Sequence, residues 1–106
     1  MSKHDFQLAY TIKPRDPERD EPDAAQARHH LRENLGLDTV EHIETTLLGL
    51  VQLASTTADD RVREAQRLVR ERIHAELKRL QVLSSVKFYG SLMVSGLGPA
   101  IRIDIL

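Results

Sequence analysis

Apolar side chains alternate with polar ones near both ends of the chain, and this two-residue period is typical of strands with one buried face. The first alternating segment covers residues 5–13, and two more cover 86–95 and 100–106. Residues 96–99, Gly-Leu-Gly-Pro, are typical of a turn, so the last two segments are predicted to form a β-hairpin. Such strands need a second layer of structure to cover their apolar face.

Two segments with a helical period are predicted to supply that layer. Residues 59–81 carry apolar side chains at spacings of three and four, which makes this the clearest helix. A shorter helix is predicted to begin near Asp20 and Pro22 and to end at Gly36, which suits the position after a helix. Residues 14–21 are charged and interrupted by proline, so they are predicted to be an exposed, mobile loop.

Residues 38–56 fit two patterns. As a helix, the segment would begin with a capping box formed by Asp38 and Glu41. As a strand, it would place alternate apolar residues on one face. The threonines at 45 and 46 and the glycine at 49 disfavour a helix, so the strand is the favoured interpretation. One variant of it bends near Leu48 and Gly49 into two short strands.

With 38–56 as a strand, the chain is predicted to be one α+β domain over residues 1–106. The order strand, helix, strand, helix, strand resembles that of ferredoxin-like proteins. The resemblance implies a two-layer sandwich with an antiparallel-rich sheet and two helices on one face. If 38–56 is helical, three helices would instead pack on a three-stranded sheet. Many unrelated functions share the ferredoxin-like layout, so it favours dimers and small accessory proteins only by analogy.

Composition and missing motifs argue against several kinds of chemistry. The chain has no cysteine, which excludes disulfides, thiolate nucleophiles and cysteine-based metal sites. It has no phosphate-binding glycine loop and no G-x-S-x-G sequence, so we expect no cofactor and lean against an enzyme. No signal peptide and no apolar run of about 20 residues is recognisable, so a cytoplasmic protein without a membrane span is expected. The excess of arginine over lysine suggests a bacterial or phage genome.

The open face of the predicted sheet is the leading candidate for a binding surface. Tyr89, Met93 and Leu106 lie on the face opposite the inferred core, and Leu48 and Leu50 join them if 38–56 is a strand. An exposed apolar sheet face is a candidate interface. The sequence therefore predicts a homo-oligomer, with a dimer favoured, that acts through protein–protein contacts.

Two alternative functions remain open. One flank of the helix at 59–81 carries Arg63, Arg67, Arg70 and Lys78, and residues 60–81 hold seven Arg or Lys against four Asp or Glu. Such a flank is a candidate for contact with nucleic-acid phosphates, although no exposed aromatic side chain is interleaved to stack on bases.

The second alternative is a small enzyme or ligand binder with a site between protomers. Its polar candidates are His42, Glu44 and Tyr89. The adjacent His29 and His30 point in different directions on a helix, so they are predicted to be solvated and no metal site is expected.

Overall fold

A computed structural model describes residues 2–34, 38–40 and 43–106 of the chain. In these residues it contains five strands and two helices. Their bounds are β1 Ser2–Pro14, α1 Glu21–Asn34, β2 Asp38–Val40, β3 Ile43–Leu53, α2 Ala58–Arg79, β4 Val86–Val94 and β5 Ile101–Ile105.

The strands form one sheet in the order β2-β3-β1-β4-β5, and every neighbouring pair is antiparallel. The elements from β1 to β4 follow the order and arrangement of a ferredoxin-like two-layer sandwich, and β5 extends the sheet as the second strand of a hairpin. The predicted α+β class is confirmed. The alternative with three helices on three strands is wrong.

The ambiguous segment contains two antiparallel strands, β2 and β3, so the prediction of one strand over 38–56 is right in type and wrong in number. β3 pairs with β1 from Thr46 to Leu53, with Leu47 opposite Leu8 and Gly49 opposite Phe6. Leu47, Val51 and Leu53 fall at two-residue spacing and are buried, which completes the apolar face of the sheet. β3 runs without interruption through Leu48 and Gly49, so the variant with two strands placed its bend wrongly.

The core lies between the helices and one face of the sheet, which we call the inner face. Phe88 of β4 is fully buried, and its ring stacks on that of Tyr10 with centroids 5.5 Å apart. Gly90 makes room for this stack, because a Cβ at Gly90 would lie 2.9 Å from Cε1 of Phe88. The helices contribute Ala24, Ala27, Leu31, Ala65, Val69, Ile73 and Leu77.

The turn before α1 is held by its own aspartates. Asp16 Oδ1 accepts hydrogen bonds from the backbone N–H groups of Glu18 and Arg19. Asp20 precedes the helix, as the sequence predicts for a cap, but its Oδ2 accepts from the backbone N–H of Asp16, 3.1 Å away. Asp20 is buried and is also paired with Arg19. The segment predicted to be exposed throughout is therefore an internally bonded turn with one buried carboxylate.

This turn makes stability depend on pH. The hydrogen bond from Arg19 is the main cause that lowers the pKa of Asp20 below its ordinary value of 3.8. A lowered pKa in the folded state gives stability that is present above the unfolded pKa and is lost as pH falls through the folded pKa. We expect Asp20→Asn to lower the melting temperature at pH 7 by roughly 5 °C, and to lower it much less near pH 3.

The matched control is Glu18→Gln, which removes an exposed carboxylate from the same turn. Thermal unfolding followed by circular dichroism at both pH values checks the prediction. An equal loss for Asp20→Asn at pH 7 and pH 3 would show that the charge of Asp20 does not stabilise the fold.

Candidate functional site

The face of the sheet turned away from the helices, which we call the outer face, carries the alternate side chains of the long strands. On β1 the buried positions Phe6, Leu8, Tyr10 and Ile12 alternate with exposed ones. The backbone register extends this division to the neighbouring strands. The outer face consists of Lys3, Asp5, Gln7, Ala9, Thr11, Lys13, Thr46, Leu48, Leu50, Gln52, Lys87, Tyr89, Ser91, Met93, Arg102 and Asp104.

Four of the five predicted interface residues lie on this face, and the fifth, Leu106, follows the end of β5. Three of the five are strongly exposed. The exposed fractions are 59% for Leu50, 54% for Met93 and 67% for Leu106. Leu106 follows β5, next to the buried Ile105 of the inner face. Leu48 and Tyr89 are half-buried.

The register divides the five residues into two groups. Outer-face residues that lie directly opposite one another on neighbouring strands form a row across the sheet. Leu48 and Met93 are both in the row of Gln7 of β1, and Leu50 is in the next row, that of Asp5. Tyr89 is opposite Thr11, two rows from Met93, or about 13 Å along the strand. Leu48, Leu50 and Met93 thus occupy one end of the outer face, which we call the apolar end. Tyr89 lies toward the other end, and Leu106 follows Ile105, which is opposite Phe88 of β4.

A shallow hollow of about 610 Å³ lies between the two ends. It is lined by Ala9, Tyr10, Thr11, Thr45, Tyr89, Gly90, Ser91, Ala100, Ile101, Arg102 and Asp104. The small residues Ala9, Gly90 and Ser91 in the middle of the sheet form its floor. Tyr89, the one residue of the predicted ligand-binding set with a described side chain, contributes to its wall.

The two charged groups in the hollow neutralise each other. Arg102 Nε donates to Asp104 Oδ2 over 2.8 Å, and this hydrogen bond is the main cause that raises the pKa of Arg102. Asp104 Oδ1 is buried and has no hydrogen-bond partner among the described residues. The hollow therefore offers one neutralised ion pair and several hydroxyl groups, without a nucleophile activated by a neighbouring base.

The free edge of β5 is covered by side chains from α2. Gln66 Nε2 donates to the carbonyl of Arg102 over 2.7 Å, and Arg70 Nε donates to the carbonyl of Asp104 over 3.4 Å. Exposed edge strands tend to pair with other chains, and covering their carbonyl groups prevents this. Addition of another strand at β5 is therefore disfavoured.

The predicted basic flank of α2 is largely occupied by contacts within the chain. Arg63 pairs with Asp60, and Arg67 pairs with Glu71 at 3.5 Å. Arg70 contacts β5 as described, which leaves Lys78 as the fourth member of the flank. These contacts reduce the number of cationic groups on the flank that are available to phosphates, and nucleic-acid contact stays a prediction.

The remaining predicted site residues are the histidines and Glu44. His42 lies outside the described residues, and of Glu44 only its place in β3 is described. The rings of His29 and His30 meet edge to face instead of converging on one point. Across 2–34, 38–40 and 43–106, no group of three or more His, Asp or Glu side chains is arranged to hold a metal ion. Within the same ranges, neither helix has the length and apolarity needed to cross a membrane.

Comparison with known proteins adds no functional assignment. No protein-family model matches the chain, and no curated protein or solved structure matches it either. Any function must therefore be argued from the site itself.

Proposed function

We propose that this chain is a small cytoplasmic binding protein without enzymatic activity, which forms a homodimer by packing two outer faces against each other. One observation carries the proposal. The strongly exposed large hydrophobic side chains of the described residues are Leu50, Met93 and Leu106; the first two lie at the apolar end of the outer face, and Leu106 follows β5. Exposed apolar side chains gathered at one end of a sheet face mark interaction sites.

The size of the outer face suits a second copy of the chain. Five strands about 4.8 Å apart span about 24 Å, and the nine residues of β4 span about 30 Å. The face therefore measures roughly 700 Å². Specific protein interfaces bury about 600–1,000 Å² on each partner, and a face of this size falls within that range.

The covered edge of β5 supports a dimer that packs through the outer face. β5 is covered by Gln66 and Arg70, so a dimer that continues the sheet beyond β5 would have to displace their hydrogen bonds. Packing of two outer faces leaves these bonds intact. The two sheets would lie about 10 Å apart with their side chains interdigitated, as in other sheet-on-sheet packings.

Analytical ultracentrifugation of the wild-type chain over a range of concentrations tests the proposal. A dimer has twice the protomer mass of 12.0 kDa. We expect that mass at micromolar concentration. A mass of one protomer at every concentration up to the millimolar range would overturn the proposal.

A further inference from the structure

The charges of the outer face are unevenly distributed along its strands. Lys13 of β1 and Lys87 of β4 are directly opposite in the register. Like charges at such positions destabilise a sheet. Neither lysine is in an ion pair among the residues with described side chains, and Lys13 Nζ lies 5.9 Å from the ring centre of Tyr89. We call this the cationic end of the face.

The apolar end carries the complementary charge. Asp5 is exposed and lies four residues before Ala9 on β1, whereas Lys13 lies four residues after it. Asp5 is in the same row as Leu50. Asp5 is in no ion pair with the described side chains. The row that contains Ala9, Thr46, Ser91 and Arg102 is therefore equidistant from this carboxylate and the two lysines.

We propose, on the basis of the face-to-face dimer, that the second copy packs with its strands running in the opposite direction. The two-fold axis then lies between the sheets, crosses the strands and passes through the row of Ala9. Each cationic end meets the apolar end of the other copy. Lys13 faces the partner's Asp5, and the same contact recurs once more by symmetry.

One apolar contact agrees with this arrangement. Tyr89 and Met93 are two positions to either side of Ser91 on β4, so the axis places Tyr89 over the partner's Met93. A thioether beside an aromatic ring is a favourable contact. Arg102 lies on the axis, but Asp104 neutralises its charge. Lys3 falls opposite the partner's Arg15, which follows the end of β1 and donates through Nη2 to the carbonyl of Leu83 in its own chain.

The opposite polarity of packing is electrostatically unfavourable. With the axis along β1, Lys13 would face the same residue of the partner, and so would Asp5. Four lysines would gather at one end, because Lys87 is beside Lys13. Like charges brought together across an interface cost affinity.

A charge swap tests the polarity. We expect Asp5→Lys and Lys13→Asp each to raise the dimer dissociation constant about tenfold, because each replaces two attractive contacts by two repulsive ones. The variant with both substitutions should return to within about threefold of wild type. The control pairs Lys13→Asp with Glu33→Lys, which keeps the net charge of the double variant but changes an exposed residue of α1, so it should restore nothing.

Outcomes of the swap separate the polarity from the dimer itself. If the wild type is a dimer and the double variant is as weak as the two single variants combined, the reversed packing is wrong and the proposed dimer stands. If the wild type is a monomer, the proposed dimer is wrong, and the reversed packing is wrong with it.

Chemical cross-linking gives an independent reading, because the chain has no cysteine of its own. Packed sheets are about 10 Å apart, too far for a disulfide, so a short bismaleimide is the suitable reagent. With reversed strands, Ala9→Cys lies near its own copy and should cross-link, whereas Lys87→Cys lies about 27 Å away along the strands and should not. Cross-linking of both variants with equal yield would overturn the reversed arrangement.

Discussion

Substitution of both Leu50 and Met93 by lysine is expected to convert the dimer into a monomer that keeps its fold. Both side chains are more than half exposed in the single chain, so the substitutions leave the core untouched. In the dimer, each would place an ammonium group at the end of the face that meets the partner's cationic end, and an uncompensated buried charge costs several kcal/mol. We expect the dissociation constant to rise at least about 100-fold, measured by analytical ultracentrifugation.

The matched control adds the same two charges to the helical layer. Ala25 of α1 and Ala75 of α2 are exposed, and Ala25→Lys with Ala75→Lys should leave the dissociation constant within about threefold of wild type. Met93→Lys alone provides a second reading, because Leu50 also lines a groove against Leu68 and Arg72 of α2. Equal weakening by the control and by the Leu50 and Met93 variant would point to net charge instead of the outer face.

Substitution of Phe88 by alanine is expected to cost about 3–5 kcal/mol of the free energy of unfolding. Phe88 is fully buried on the inner face and stacked on Tyr10, so its removal leaves a cavity and an unsupported ring. The total free energy of unfolding of a domain of this size is about 5–15 kcal/mol. In urea, with a slope of about 2 kcal/mol per molar, the unfolding midpoint should fall by roughly 2 M.

The neighbouring residue provides the control for this substitution. Tyr89 is also aromatic and sits on the same strand, but on the outer face, where it is half-buried. At a concentration where the chain is monomeric, Tyr89→Ala should cost less than about 1.5 kcal/mol. Equal losses at positions 88 and 89 would contradict the assignment of the two faces of β4.

Much of the fold is predictable because its strands and helices have clear periods. The alternation at 5–13 places Phe6 and Leu8 inside, and the three- and four-residue spacing at 59–81 predicts α2 to within two residues at each end. Residues 38–56 were ambiguous because their apolar residues satisfy both periods. The threonines and Gly49 lower the helical propensity, and pairing with β1 provides the burial that a third helix would not.

The outer face was predictable in composition but not in arrangement. Alternation assigns Leu48, Met93 and Tyr89 to one face, whereas the register decides which of them are neighbours across strands. The opposition of Lys13 and Lys87 depends on that register, so the sequence pattern does not reveal it. The sequence pattern does show that both lysines occupy outer positions of their strands, but it does not show that they are opposite each other.

Contacts between distant elements were also beyond prediction. The hydrogen bonds from Gln66 and Arg70 to β5 connect residues more than 30 positions apart in the sequence. From the sequence alone, the arginines of α2 were interpreted as a free basic flank. Asp20 was expected to cap α1, but its side chain bonds the backbone of Asp16 instead. In both cases a polar side chain had several nearby backbone partners, and tertiary packing selected one of them.

Oxidation of Met93 by hydrogen peroxide tests the central claim most directly, because it reports whether the outer face is covered in solution. The thioether is exposed in the single chain, so it should react readily at nanomolar concentration. Above the dissociation constant, we expect its rate to fall at least about fivefold relative to free methionine in the same tube, since the partner's sheet covers it. A rate that is the same at nanomolar and high micromolar concentrations would contradict the account.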